Sequence, residues 1–325
     1  MPELKPSDVR LVYMGTADFA VPTLRRLILD GYTLPGVVTQ PDKPSGRGQL
    51  MHAPPVKRTA MELQLDVHQP ATLRDESARR FFTGLQPDLI LVVAYGKILP
   101  PWLIQLPRFG VVNLHGSLLP KYRGAAPIQW AVANGETETG VCTMQIDEGL
   151  DTGPVYLCEK TPILAEESIQ QLSERLAALG AELTSRTLSG ILAGSLSATA
   201  QDHAHASLAP ILRKEDGNID WNWTAQKIHS RIRAFNPWPG TTTRFRGGIC
   251  RILKSRVGDC TDGSEAPGAI TATKGIVSVA CGARSRLELL EVQLPGKKPV
   301  SGSDFANGVR IQTGDRFESE GGKNS

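Results

Sequence analysis

The chain contains no apolar run near the 18 or more residues that cross a bilayer, which argues against a membrane-spanning helix. Met1–Arg10 has no apolar h-region and carries Glu3 and Asp8, so neither a secretory signal nor an Arg-rich transit peptide is expected. Cysteine is scarce: Cys142, Cys158, Cys250, Cys260 and Cys281 make an odd set without a C-x-x-C pair. That pattern predicts reduced thiols packed as small hydrophobes rather than a disulfide frame or zinc site. His203 and His205 flank one alanine and read as solvated residues, so no metal is expected. The strand-then-glycine start, Met14-Gly15-Thr16-Ala17-Asp18-Phe19, supplies one glycine where G-x-G-x-x-G needs three, and a dinucleotide site fails there. No G-x-x-x-x-G-K-[ST] loop occurs either. A soluble, cytoplasmic protein is the expectation.

What is present is a two-domain pattern. At 325 residues with 40% hydrophobic content, the chain exceeds the usual single-domain size and can bury two cores. The first half alternates β-rich runs with helical patterns, the signature of an α/β fold with a Rossmann-like parallel sheet. Arg10–Met14, Gly36–Gln40, Val67–Gln69, Asp88–Tyr95, Val111–Leu114 and Val141–Asp147 read as strands, and Glu167–Leu192 as a long helix. Asp88–Tyr95 is almost continuously apolar, as a central strand covered on both faces requires. Residues 195–209, rich in Ala, Ser and His, read as a linker. Beyond a helix near Ala225–Phe235, short strand-like runs separated by Gly, Asp and Ser predict a small β-barrel, OB-like in character. The expected organisation is a domain over 1–194, a linker over 195–209, a barrel over 210–318 and a tail over 319–325.

Charge is distributed unevenly. Residues 1–205 hold 18 Lys and Arg against 21 Asp and Glu, whereas residues 206–325 hold 18 against 12. Between Asp220 and Asp259 there is no acid, but there are Lys227, Arg231, Arg233, Arg244, Arg246, Arg251, Lys254 and Arg256. Such a stretch is either a solvated basic face or a surface that tracks phosphates.

Ligands of open parallel sheets bind at the carboxyl ends of the strands. Asn113–Pro120 and Asp147–Gly153 each follow an apolar strand. In a strand, residues 113 and 115 point to one face, so an amide and an imidazole project together, and a carboxylate from the next loop can orient the imidazole. Ser117 lacks G-x-S-x-G context, which disfavours an acyl-enzyme. Direct acyl transfer, stabilised by Asn113 and a protonated His115, suits these residue types. The loop Gln40–His52 is long and punctuated by Pro41, Pro44, Gly46 and Gly48, with Arg47 between glycines, which marks a functional or mobile loop.

Several runs together resemble the methionyl-tRNA formyltransferases through nearly the whole chain. They are Thr39–Pro44 with Gly46-Arg47-Gly48, Val93–Gly96, Asn113–Pro120, Arg123–Gln129, Gly149–Gly153 and Arg233–Pro239. The resemblance implies a formyltransferase domain followed by a tRNA-gripping barrel, with 10-formyltetrahydrofolate as co-substrate and no metal. It maps the family's catalytic Asn, His and Asp onto Asn113, His115 and Asp151, and its folate segment onto Ser117, Leu118, Leu119 and Pro120. It matches Arg47 to an arginine that engages the tRNA acceptor end, while the basic barrel makes Arg244, Arg246 and Lys254 further candidates. Many members carry lysines after Gly-Arg-Gly, whereas Gln49 and Leu50 stand here. The implied partner is initiator methionyl-tRNA, with no membrane and no obligate protein partner. An enzyme acting on glycinamide ribonucleotide would need no basic second domain. One acting on an amino sugar nucleotide is the closer rival, and a folate- or RNA-binding protein without catalysis is a third reading.

Overall fold

The computed structural model describes residues 4–45, 50–260 and 265–319. Two compact units emerge: Met1–Pro127 with Glu138–Pro162 and Gln170–Pro210, and Ile128–Thr137 with Ile163–Ile169 and Ile211–Ser325. Residues 195–209, read from sequence as a linker, therefore fold with the first unit.

The first unit is built on β1 (Arg10–Gly15), α1 (Val21–Leu29), β2 (Thr33–Val38), β3 (Lys43–Ser45), β4 (Leu50–His52), α2 (Pro55–Glu62) and β5 (Val67–His68). Next come α3 (Glu76–Leu85), β6 (Leu89–Val93), α4 (Pro101–Ile104) and β7 (Val111–His115). After α5 (Pro127–Ala133), which falls to the second unit, it continues through β8 (Glu138–Gln145), β9 (Val155–Pro162) and α6 (Ile169–Leu192). The sheet order is β5-β2-β1-β6-β7-β8-β9. All five residues of β6 are buried, as its unbroken apolar run predicts. Val12, Met14, Val38, Phe82, Ile90, Val92 and Tyr95 form the core on one face.

Two features depart from the sequence reading. The strands through β7 are parallel, but β8 pairs antiparallel with β7 and β9 antiparallel with β8. Apolar periodicity identifies a strand and carries no information on its direction, so β8 read as one more parallel strand. Nine residues separate β8 from β9, too few for a crossover, so that pair had to be antiparallel. Secondly, this register sets Cys142 opposite Cys158 with Cα atoms 4.1 Å apart, and the two are bonded as a disulfide. The expectation of five reduced thiols is corrected for this pair; Cys250, Cys260 and Cys281 are free. A spacing of 16 residues is no motif, and only strand pairing brings the sulfurs together.

The second unit holds α7 (Ala225–Phe235), β10 (Thr241–Phe245), β11 (Gly248–Gly258), β12 (Ile270–Thr273), β13 (Ile276–Ala280), β14 (Arg286–Gln293), β15 (Val300–Ser301), α8 (Gly302–Val309) and β16 (Phe317–Glu318). Thr224 caps α7 by accepting the Lys227 N–H at 3.2 Å, offsetting one orphan donor of its first turn. The antiparallel sheet runs β12-β13-β14-β11-β10-β16, with β15 beside β14. Its two ends meet where Ala269 bridges Arg316 and the Phe317 N–H donates to the Gly268 carbonyl at 2.8 Å. This is the barrel-like sheet that the short strands predict. Trp221, Ile228, Ile252, Val279, Leu287, Phe305 and Phe317 fill it.

Candidate active site

Strand β7 sets the geometry. Leu114 packs on α6 so closely that a Cβ at Gly180 would stand 2.6 Å from its Cδ2. The alternation of a strand therefore turns Asn113 and His115 to the opposite face. The Asn113 side chain is half-buried, and among the described residues its carboxamide makes no hydrogen bond. The His115 ring is buried, with Nε2 at 2.9 Å from the Tyr122 carbonyl oxygen and Nδ1 at 3.6 Å from Asp151 Oδ2. A carbonyl oxygen only accepts, so Nε2 carries the hydrogen in that contact and Nδ1 is the ring nitrogen turned to the carboxylate. Asp151 Oδ2 also accepts the Gly124 N–H at 2.8 Å. Asn113 and His115 thus share a face, and the carboxylate of Asp151 stands beside the imidazole.

Asp151 reaches this place by a route the sequence did not reveal. Because β8 is antiparallel, its outgoing end lies level with Val111–Val112, at the far end of β7 from His115; the Ile146 N–H donates to the Val111 carbonyl at 2.8 Å. The loop from Ile146 to Pro154 must return along the strand to bring residue 151 to the imidazole. Gly153 makes the fold-back possible, since a Cβ there would lie 1.9 Å from the Gln145 carbonyl oxygen. Asp151 itself has φ of 52°, a left-handed conformation that costs a non-glycine residue on the order of 1 kcal/mol or more.

The segment Ser117–Pro120 divides in two. Ser117 is buried and its hydroxyl donates to the Lys121 carbonyl at 2.6 Å, while Leu118 packs against Gly140. Leu119 and Pro120 line a cavity of about 310 Å³ shared with Tyr156, Cys158, Gln201 and Asp202. The stem of the long loop is fixed: Gln40 Nε2 donates to the Tyr95 carbonyl at 2.8 Å, and Lys57 Nζ donates to both Asp42 carboxylate oxygens at 2.8 and 2.9 Å. Hydrogen bonds from Lys57 and Gln69 hold the Asp42 carboxyl below the usual carboxylate range. Strands β3 and β4 form a short ribbon where the sequence read only a loop. Arg47 lies outside the described residues.

In the second unit, the acid-free run is not acid-free in space. Strand pairing sets Lys254 opposite Glu291 and Arg256 opposite Glu288, with Lys254 Nζ at 3.2 Å from Glu291 Oε2 and Arg256 Nε at 3.0 Å from Glu288 Oε2. Arg246 pairs with Asp315 at 2.7 Å and donates to the Val309 carbonyl, so it ties the chain's last turns to the barrel. Arg231 lies over the rings of Trp130, Trp223 and Phe235, and burial lowers its pKa. Arg233 donates to the carbonyls of Leu164 and Glu167. Arg244 is exposed on β10. A larger depression of about 560 Å³ lies in this unit among Glu265, Lys274, Arg286 and Glu288, and no sequence-predicted site residue lines it.

Residues 9–188 match the model of the family described as formyl transferase, and residues 211–310 match that of the formyl transferase C-terminal domain. The methionyl-tRNA formyltransferase of Solibacter usitatus is 47% identical over 309 residues, covering 95% of this chain and 98% of the relative. That of Koribacter versatilis is 47% identical over 308 residues, covering 94% and 98%. The chain belongs to the methionyl-tRNA formyltransferase family. An N-formyltransferase from Helicobacter canadensis, solved with folinic acid and dTDP-3-aminofucose, shares the fold at TM-score 0.65 with 18% identity, covering 86% of this chain and 98% of that one.

Around this family's matched motifs stand residues that sequence reasoning missed. Tyr122, with φ of 61°, supplies the carbonyl that fixes the imidazole. Arg123 is buried and binds Gln201 Oε1 through Nε at 3.1 Å and an NH2 group at 2.7 Å. Gln201 and Ser207 come from the segment read as a linker. Its Ala-Ser-His composition carries no periodicity, so only long-range contacts could reveal its place.

Proposed function

We propose that this protein transfers the formyl group of 10-formyltetrahydrofolate to the α-amino group of methionyl initiator tRNA, by direct acyl transfer on Asn113, His115 and Asp151. The observation that carries the chemistry is the Asn113 carboxamide, without a hydrogen bond among the described residues, on the same strand face as an imidazole pinned by Tyr122 and faced by Asp151. The half-buried carboxamide has no hydrogen-bond partner among the described residues, so its two N–H donors are open to a ligand. The acceptor is supported by relatives of this name that are 47% identical over nearly the full chain.

When bound, the folate co-substrate supplies the activated formyl carbon. The residues of this chain then do three things. Asn113 Nδ2 donates to the formyl oxygen as negative charge develops there, an interaction stronger in the transition state than in the ground state. Nδ1 of His115 is the ring nitrogen left for the reaction, because Nε2 is committed to Tyr122. Asp151, held by Gly124, keeps that nitrogen in place and with it takes up the amine proton, directly or through water. Leu119 and Pro120, on the wall of the 310 Å³ cavity, are the members of the predicted folate segment exposed to a ligand, while Ser117 shapes the turn.

Residues 1–194 form the catalytic part in this reading and 210–318 the tRNA-binding part, with Arg47 and exposed cations such as Arg244 meeting phosphates. The experiment offers the protein 10-formyltetrahydrofolate with charged initiator tRNA, free methionine or an amino sugar nucleotide. Formylation of the charged tRNA is expected. Formylation of the amino sugar alone would overturn the reading.

A further inference from the structure

Residues 199–209 run as a strap across the back of the His115–Asp151 pair. Thr199 exchanges two backbone hydrogen bonds of 2.8 Å with Val155. Two residues later, Gln201 Nε2 donates to the Asp151 carbonyl at 2.9 Å and to the Gly153 carbonyl at 2.7 Å. Its Oε1 accepts both donors of Arg123 described above. Further along, Ser207 Oγ accepts the Tyr122 N–H at 2.9 Å, and the Ser207 carbonyl accepts the Arg123 N–H at 2.8 Å. The Ala209 N–H then donates to the Arg123 carbonyl at 2.7 Å. One segment therefore grips two residues held in left-handed backbone, Tyr122 and Asp151.

Resting on the reading that Asp151 and His115 carry the reaction, we propose that Gln201 is a positioning residue for the Asp151 carboxylate. The chemistry of the contact selects this side chain. Two carbonyls need donors and a guanidinium needs an acceptor, all within reach of one side chain, and a carboxamide alone provides two donors with an acceptor. A carboxylate would keep Arg123 but turn oxygen against two carbonyl oxygens. An aliphatic residue would leave the Arg123 guanidinium and the two carbonyls without these partners. Arg123 closes the device: its guanidinium holds Gln201, and its backbone, fixed by Ser207 and Ala209, presents the adjoining Gly124 N–H to Asp151 Oδ2. The carboxylate is thus located from its own backbone and from its oxygen by the same strap. The effect belongs to turnover, because misplacing a reacting group by about 1 Å can cost roughly 100-fold without loosening substrate binding.

Gln201→Glu and Gln201→Leu test this in the full-length protein, with steady-state rates on 10-formyltetrahydrofolate and charged initiator tRNA and a thermal midpoint for each. For Gln201→Glu, kcat is expected to fall about 10- to 100-fold, with the KM for charged tRNA within about twofold and the midpoint within a few degrees of the parent. Placed on Asp151→Asn and measured in single turnovers, Gln201→Glu is expected to add less than about twofold, because its effect runs through Asp151. A kcat within about twofold of the parent, or an equal further loss in the Asp151→Asn background, would overturn the proposal. If Gln201→Leu does not fold, the Glu variant decides alone, since it retains the partner of Arg123. Should Asp151→Asn itself keep the parental kcat, the catalytic reading fails instead, and the two failures are distinct.

Discussion

In the proposed reaction Asn113 is the residue on which the chemistry turns most directly, because it offers two N–H donors that nothing in the described structure uses. Removing one donor aimed at a developing oxyanion typically costs about 3 kcal/mol of barrier, a rate factor on the order of 100. Asn113→Ala is therefore expected to lower kcat by about that factor while leaving the thermal midpoint unchanged, since no folded-state hydrogen bond is lost. Steady-state rates together with a melting curve check both halves, and near-normal kcat would remove Asn113 from the mechanism. Asn113 and His115 were legible as a pair because a strand period of two puts them on one face. Asp151 was legible as a residue type in a glycine-rich loop. That it meets Nδ1 rather than Nε2 was not legible, for the choice is made by the Tyr122 carbonyl.

Elements were recovered where pattern alone determines them. The continuous apolar run of β6, the long helix α6 and the short strands of the barrel all follow from periodicity and turn residues. Strand direction, the β3–β4 ribbon and the edge strand β9 were missed, because exposed or alternating short runs carry weak signals. The pairing of α7 with β11 has a consequence for acid stability. His229 on α7 contacts Ser255 Oγ at 3.1 Å, and burial, reinforced by Arg233, holds its pKa below the ordinary histidine value. The folded state thus favours neutral imidazole. Its contribution is fully present above the unfolded pKa of about 6.5 and is lost as pH falls through the lower folded value. Thermal midpoints from about pH 8 to 5 should accordingly decline less steeply in His229→Gln than in the parent. Identical slopes would show that this histidine does not report on the fold.

At the scale of the whole molecule, nucleic-acid affinity depends on how many cations remain available to phosphates. The basic run between Asp220 and Asp259 read as a single surface, but antiparallel pairing answers Lys254 with Glu291 and Arg256 with Glu288. A cation paired at home releases fewer counterions on binding a phosphate. Replacing both acids, Glu288→Gln with Glu291→Gln, is expected to tighten tRNA binding and to steepen the salt dependence. Each cation gained at a phosphate adds roughly 0.7–0.9 to the slope of log K against log salt concentration. Filter-binding titrations at several salt concentrations measure this slope. Unchanged affinity and slope would place tRNA elsewhere than the β11–β14 face.

By itself, the sequence determined the α/β class of the first half, the barrel-like second half, the Asn113–His115 pair and the family, because each rests on local period or contiguous motif. Tertiary structure decided the rest. The direction of β8, the Cys142–Cys158 bond, the return of Asp151 to the imidazole and the neutralisation of the barrel's cations all join residues far apart in the chain. So does the conversion of residues 199–209 from apparent linker to the strap behind His115 and Asp151. Periodicity records which face of an element is buried; it does not record which distant backbone group will meet it.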